Sequence, residues 1–346
     1  MSFLTGSSTH SWEPVGTVNT TARSYWLNWR VLLCSIWLLM SVIFASILIS
    51  RHEARLHSEN GSRERQEEEP AAAGLVYEDE VWKPCLKVIH PAWLLAYRVV
   101  AFFVLLILLI LNADVDGATI FYFYTQWTFT LITIYFGLGS LLSIYGCYHY
   151  QNKVGGDSID GGDFEAGQDT FAATTNASDG AKHLEANQEC CARQLAGFWG
   201  YAFQIIFQMN AGAVILTDCV FWFVIVPFLA IKDYSLNFLI ISMHTVNAVF
   251  LLGDTYLNCM RFPWFRIAYF LLWTVFYVVF QWIVHACVSL WWPYPFLELS
   301  SSFAPLWYFS VGLMHIPCFA IFALVIKMKH SLLSKHFPHS YQCVRS

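Results

Sequence analysis

Seven apolar runs separated by polar stretches set the rhythm of this chain, at positions 31–50, 92–111, 118–147, 205–231, 236–257, 265–291 and 303–326. Each reaches the roughly 20 residues that a helix needs to cross about 30 Å of hydrocarbon, so each is read as a transmembrane helix. The third and sixth runs are longer than a perpendicular crossing requires, which implies tilt or extension beyond the hydrocarbon. The expected fold is all-α, a polytopic transmembrane helical bundle. It divides into an N-terminal tail (1–30), an extra N-terminal span (31–50), a polar loop (51–91), the second and third spans (92–147), a second polar loop (148–198), the fourth to seventh spans (199–329) and a C-terminal tail (330–346).

Composition agrees with that pattern. Hydrophobic residues make up 57% and charged residues 12% of 346 positions, the latter about half the share of a soluble domain. The chain is therefore expected to be an integral, multi-pass membrane protein of the endomembrane system or plasma membrane, with membrane lipids as its surroundings. Many of the 15 Trp and 17 Tyr fall at run ends, where amphipathic rings prefer the headgroup layer. The net charge of −5 belongs to the loops and offers nothing to a nucleic acid. Of the 19 Lys and Arg, fifteen lie in segments that are inside if the N-terminus is outside, three lie outside, and Arg98 falls within the second span. The positive-inside rule thus predicts an N-out, C-in topology. About 30 polar residues precede the first run and no small-residue cleavage pattern follows it, so that run is expected as an uncleaved anchor.

The two long loops, one with the mixed-charge run Arg63 to Glu69 and the other rich in Gly, Asp, Ala and Thr, read as solvated and disordered. A glycosylation sequon at Asn19 lies on the outer side, while those at Asn60 and Asn176 lie inside. The 10 cysteines are scattered singly except for Cys190-Cys191, a candidate palmitoylation pair. With no C-x-x-C or other zinc spacing, neither a disulfide framework, a metal site nor a cofactor is indicated.

Three polar side chains sit where a bilayer disfavours them. At about 1.5 Å per residue, Thr125, His244 and His285 lie roughly 10, 13 and 10 Å below the outer ends of the third, fifth and sixth runs. Stepping about 100° per residue from His244 puts Asn237, Asn247, Asp254 and Asn258 on one side of the fifth span, a stripe expected to face the bundle interior. From Thr125 the same step gathers Thr128, Gly139, Ser143 and Gly146, a face that admits a close neighbour. A packing role stands beside each candidate: Thr125 bonding a carbonyl one turn back, and His285 capping another. His315 and Asn210 read as packing or hydrogen-bonding residues. Pro227, Pro305 and Pro317 mark helix ends or kinks.

Short blocks then point to a family. Phe123-Tyr124-Thr125-Gln126-Trp127, the stretch around Met243-His244-Thr245, and Tyr294-Pro295-Phe296-Leu297-Glu298 resemble, in order and spacing, the androgen-induced-gene and androgen-dependent TFPI-regulating protein family of membrane hydrolases. Val220-Phe221-Trp222 also matches, and the first block looks closest to the rolling-stone-like branch. The resemblance implies a threonine and a histidine that cleave fatty acid esters of hydroxy fatty acids, with Thr125 as nucleophile and His244 as base. His285, Asn247 and Trp127 are the accompanying substrate-binding candidates. Such chemistry is physically reasonable, because a hydroxyl becomes nucleophilic when a neighbouring imidazole takes its proton. No orienting acid is assigned: Asp218 is set aside as about 18–20 Å below the outer end, and Asp254 as about 15 Å along the helix from His244. The competing class is a non-enzymatic multi-pass protein, receptor-like or a scaffold in membrane trafficking or fusion. A transporter is a third reading, weakened by the lack of paired broken helices.

Overall fold

The computed structural model describes residues 19–62, 74–157, 194–229 and 237–343. Eight principal helices follow in order: α1 Trp29–Ser62, α2 Pro91–Asp116, α3 Tyr124–Asp157, α4 Phe198–Val220, α5 Phe238–Met243, α6 Val246–Leu257, α7 Ile267–Cys287 and α8 Ala304–His336. Counting α5 and α6 as one crossing, seven helical segments among the described residues are long and apolar enough to span a membrane. No strand occurs among the described residues, and the protein is an integral multi-pass helical bundle.

Local sequence explains several of the helix ends. Asn28 Oδ1 accepts from the amides of Arg30 and Val31 at 2.9 and 3.1 Å, which satisfies donors that the first turn of α1 leaves free. Pro91 opens α2, where its missing N–H costs nothing, and Asn237 Oδ1 accepts from Ile240 N at 2.8 Å to start α5. Gly117, with φ of 70°, ends α2 in a conformation that only glycine adopts without strain.

Two spans differ from the continuous helices expected. The third begins at Tyr124, because after Gly117 the chain makes a separate 3₁₀ segment over Gly117–Tyr122; Thr125 is thus in the first turn of α3, not several turns into a helix. The fifth breaks at His244 and Thr245, which leave the helical region with φ −101° and ψ 16° at His244 and φ −138° and ψ −48° at Thr245. A broken helix inside a membrane needs other partners for its freed groups. Here Trp222 Nε1 donates to the carbonyl of His244 at 3.0 Å. Along this span His244, Asn247, Asp254 and Asn258 are all buried, as the polar stripe predicts; Asn237 caps α5, and Asp254 and Asn258 join a network at the opposite end.

Helices pack through aromatic and small residues, since lipid tails leave little hydrophobic driving force between spans. Phe129, Tyr135 and Phe136 of α3 meet Phe203 and Phe207 of α4 in one core, and Phe270 and Tyr277 of α7 meet Ala213 and Leu216 of α4 in another. Gly212 permits this second approach, as a Cβ there would stand 2.3 Å from the Phe270 ring. Ile36, Leu39, Phe103, Ile107 and Ile283 form part of the exposed apolar exterior.

The end of the bundle holding the C-terminus carries an ordered polar belt. Arg98 Nε donates to Asp254 Oδ1 at 2.7 Å, while Asn258 Nδ2, at 2.8 Å, and the Tyr135 hydroxyl donate to Asp254 Oδ2. Arg98 also donates to Ser143 Oγ and Val81 O, both at 2.8 Å. Arg261 binds Glu80 at 2.7 Å, and Arg266 binds Glu53 at 3.3 Å. Part of the loop expected to be solvated belongs to this belt: α1 runs on to Ser62, Leu75, Val76 and Val81 are buried, and Tyr77 bridges Leu195. Apolar residues inside that polar stretch give it something to fold on. The charged run at 63–69, Asn176 and the Cys190-Cys191 pair lie outside the described residues.

Candidate functional site

A cavity of about 210 Å³ lies toward the other end of the bundle, and Thr125 and His244 are both among its walls. α3 brings Thr125 in with its first turn; the break between α5 and α6 brings His244. Thr217, Thr274, Tyr294 and Ser310 supply further hydroxyls, and the remaining walls are almost wholly apolar. Its rim includes Val224, Trp307 and Met314, all more than 40% exposed on the bundle exterior. The mouth therefore opens sideways between the end of the fourth span and α8.

Thr125 Oγ1 has the Tyr294 hydroxyl 3.4 Å away. Tyr294 comes from the loop before the 3₁₀ segment Pro295–Leu297 and stacks on Phe296 at 5.1 Å. Burial pushes its phenol above the ordinary tyrosine range, so it remains an O–H donor at neutral pH.

His244 is held on two sides. Its ring stacks on Phe221 with centroids 3.7 Å apart, and its Nδ1 lies 3.4 Å from Asp218 Oδ1. Asn247 Nδ2 donates to the same carboxylate oxygen at 3.3 Å. Asp218 Oδ2 has no hydrogen-bond partner among the described residues. With Asp218 accepting from Nδ1–H, the other ring nitrogen, Nε2, carries the lone pair, which is the tautomer a base requires.

Asp218 is the main correction to the sequence reading, which set it aside as too deep. Depth was counted along straight α-helices, but α4 passes after Val220 into a π-helical stretch, Phe221–Leu229, and the fifth span is broken at His244. A π turn holds more residues per turn and rises less per residue, so residue counts overstate distance. Tyr294 was also missed as a site residue, although its block was recognised; its hydroxyl reaches Thr125 only through loop folding.

The other candidates separate from the cavity. His285 places Nδ1 2.8 Å from Gln281 O and Nε2 3.3 Å from Trp291 O, and it stacks on Trp292 at 3.7 Å. It is a buried carbonyl-bonding residue outside the cavity wall. Trp127 donates from Nε1 to Phe121 O at 2.8 Å and packs among Trp273, Phe276 and Phe280. Neither Asn247 nor Asp218 lines the cavity; Asn247 bonds Asp218, which in turn meets the cavity-lining His244. His315, read as packing or bonding, donates or accepts at Thr274 Oγ1, 2.8 Å away.

The cysteines also depart from expectation. Cys259 and Cys343, 84 positions apart, form a disulfide with Cα atoms 5.2 Å apart. Cys85 joins them, and the three sulfurs lie within 4.8 Å of one another. Spacing along the chain gave no hint of this, because three distant segments supply one residue each. Set against protein-family models, curated proteins and solved structures, the chain finds no match in any of the three comparisons.

Proposed function

We propose that this protein is an intramembrane hydrolase of lipid esters, with Thr125 as nucleophile, His244 as base and Asp218 as the group that orients His244. The observation carrying this reading is the single apolar cavity lined by both Thr125 and His244 and opening toward the lipid-facing exterior. The motif resemblance adds the substrate class, fatty acid esters of hydroxy fatty acids.

In this mechanism His244 Nε2 takes the Thr125 Oγ1 proton as the oxygen attacks the ester carbonyl carbon. The tetrahedral oxyanion receives a hydrogen bond from Tyr294 O–H and sits at the positive end of α3. Collapse expels the alcohol, which takes the proton from His244, and leaves an acyl-threonine ester. Water then repeats the sequence, with His244 again as base, and releases the carboxylic acid. The apolar walls hold chain segments near the carbonyl while the sideways mouth leaves the remainder in the bilayer. An N-out, C-in arrangement in the endomembrane system or plasma membrane accompanies this reading, from the charge bias; the cavity then lies toward the outer face.

The test is hydrolysis of long-chain branched fatty esters by the purified protein in lipid. Thr125→Ala and His244→Ala should each lose on the order of 10²–10⁴-fold in rate, and the double variant should be little worse than either. Thr125→Ser should retain measurable activity. Undiminished turnover in folded Thr125→Ala, or an inert wild type across the panel, would favour the receptor-like or scaffold reading instead.

A further inference from the structure

The second cluster of reactive side chains lies at the opposite end of the bundle, outside the spans. Cys85 precedes α2, Cys259 follows α6 and Cys343 belongs to the C-terminal tail; all three are buried. Backbone bonds hold the three segments in place. Cys85 N donates to Leu257 O and Lys87 N to Ser340 O, both at 2.7 Å, and Gln342 N donates to Cys85 O at 3.1 Å. Isolated bridges pair Pro84 with Asn258 and Leu86 with Tyr341. The sulfur atoms thus converge on scaffolding that does not need the disulfide to bring them together.

Beside the cluster is a buried cation. Lys329 is 7% exposed and donates from Nζ to Asn258 O, the same carbonyl that Cys85 Sγ meets. Among the described residues no carboxylate pairs with it, because the nearby Asp254 is taken by Arg98, Tyr135 and Asn258. A buried ammonium whose nearest carboxylate is already engaged by Arg98 is costly, so this end of the fold favours a negative charge at the sulfurs.

We infer that Cys85, Cys259 and Cys343 form a zinc site in the reduced protein, with Lys329 balancing its charge. The step requires a cellular thiol reductant of the glutathione class, consistent with the inner-face location proposed for this end. Two such thiols deliver two electrons and two protons to Cys259–Cys343, becoming a disulfide themselves and leaving two protein thiols. Zn²⁺ then displaces the three thiol protons, and the three thiolates with Zn²⁺ carry one net negative charge, which Lys329 neutralises. A Cu⁺ ion in the same three thiolates would leave two negative charges against one ammonium. Water or the Asn258 carbonyl beside Cys85 supplies the fourth ligand that zinc ordinarily takes. The ion would fasten the C-terminal tail to the loop before α2 and the turn after α6.

The experiment is zinc analysis of full-length protein purified anaerobically under reducing conditions without added metal, with parallel peptide mapping of cysteines alkylated in intact cells. About one zinc per chain is expected in wild type and in Cys318→Ser, falling to background in Cys85→Ser. Because Cys85→Ser is able to fail by misfolding, wild-type protein stripped by chelator is also titrated with Co²⁺, which should give thiolate-to-cobalt charge-transfer absorption. Zinc-free wild type lacking that absorption, a Cys259–Cys343 disulfide that dominates in intact cells, or zinc retained by Cys85→Ser would overturn the assignment.

Discussion

Asp254 and Asp218 are both carboxylates buried in the bundle, and their surroundings could hardly differ more. Asp254 is fully buried, with Arg98 on one oxygen and Tyr135 and Asn258 on the other. Asp218 has long contacts of 3.4 and 3.3 Å to His244 and Asn247, and its second oxygen has no hydrogen-bond partner among the described residues. A neutralised, hydrogen-bonded carboxylate fixes helices relative to each other. An under-satisfied one beside an imidazole and an apolar cavity gives little stability for its burial, and such groups gather at functional sites. The comparison separates a polar belt that holds the bundle from a pair of groups able to do chemistry.

The largest expected effect breaks the belt. Arg98→Met leaves Asp254 without its cation and should cost on the order of 3–5 kcal/mol of stability, read by denaturation in bicelles. Arg98→Met combined with Asp254→Leu should recover most of that loss, since both charges are then gone. A double variant as unstable as the single one would show that the pair is not the unit that matters.

The same operation at the other carboxylate should leave stability nearly intact and strike turnover instead. Asp218→Asn is expected to change stability by less than about 1 kcal/mol, as its contacts are long. Ester hydrolysis should fall roughly 10–100-fold, less than for a closely bonded triad acid. Substantial unfolding with unchanged specific activity would move Asp218 into the structural class with Asp254.

The smallest effect is expected at His285, where the ring bonds carbonyls away from the cavity. His285→Ala should cost about 1–2 kcal/mol through the lost carbonyl bonds and stacking, with turnover changed less than about twofold. A loss of activity comparable to that of Thr125→Ala, at unchanged stability, would return His285 to the site.

How much of this was legible in the sequence depends on how local each signal is. A run of apolar residues long enough to cross hydrocarbon encodes its own helix, and the seven spans follow from that. Gly117 and the break at Thr245 are properties of one or two backbone positions, too local to interrupt an apolar run. Thr125 and His244 stand in the motif blocks and do share a cavity, whereas depth alone also selected His285, which lies outside it. Asp218 was lost because depth was counted on straight helices, whereas a π-helical stretch and a broken span set its position. His244, Asn247, Asp254 and Asn258, gathered on one side by helical phase, are all buried as that phase predicts, but phase alone does not tell which of them meet: His244 and Asn247 join Asp218, while Asp254 and Asn258 join Arg98 at the other end. Cys85, Cys259 and Cys343 have no motif spacing at all; only the folded ends of three segments bring them together.

The most direct test of an activated hydroxyl is covalent labelling with a lipophilic fluorophosphonate, followed by peptide mapping of the modified residue. A phosphonyl adduct is expected on Thr125 in wild type and in His285→Ala, with slower labelling in Asp218→Asn and none in Thr125→Ala or His244→Ala. Folded wild type that gives no adduct, or an adduct that persists in Thr125→Ala, would contradict an activated hydroxyl at Thr125.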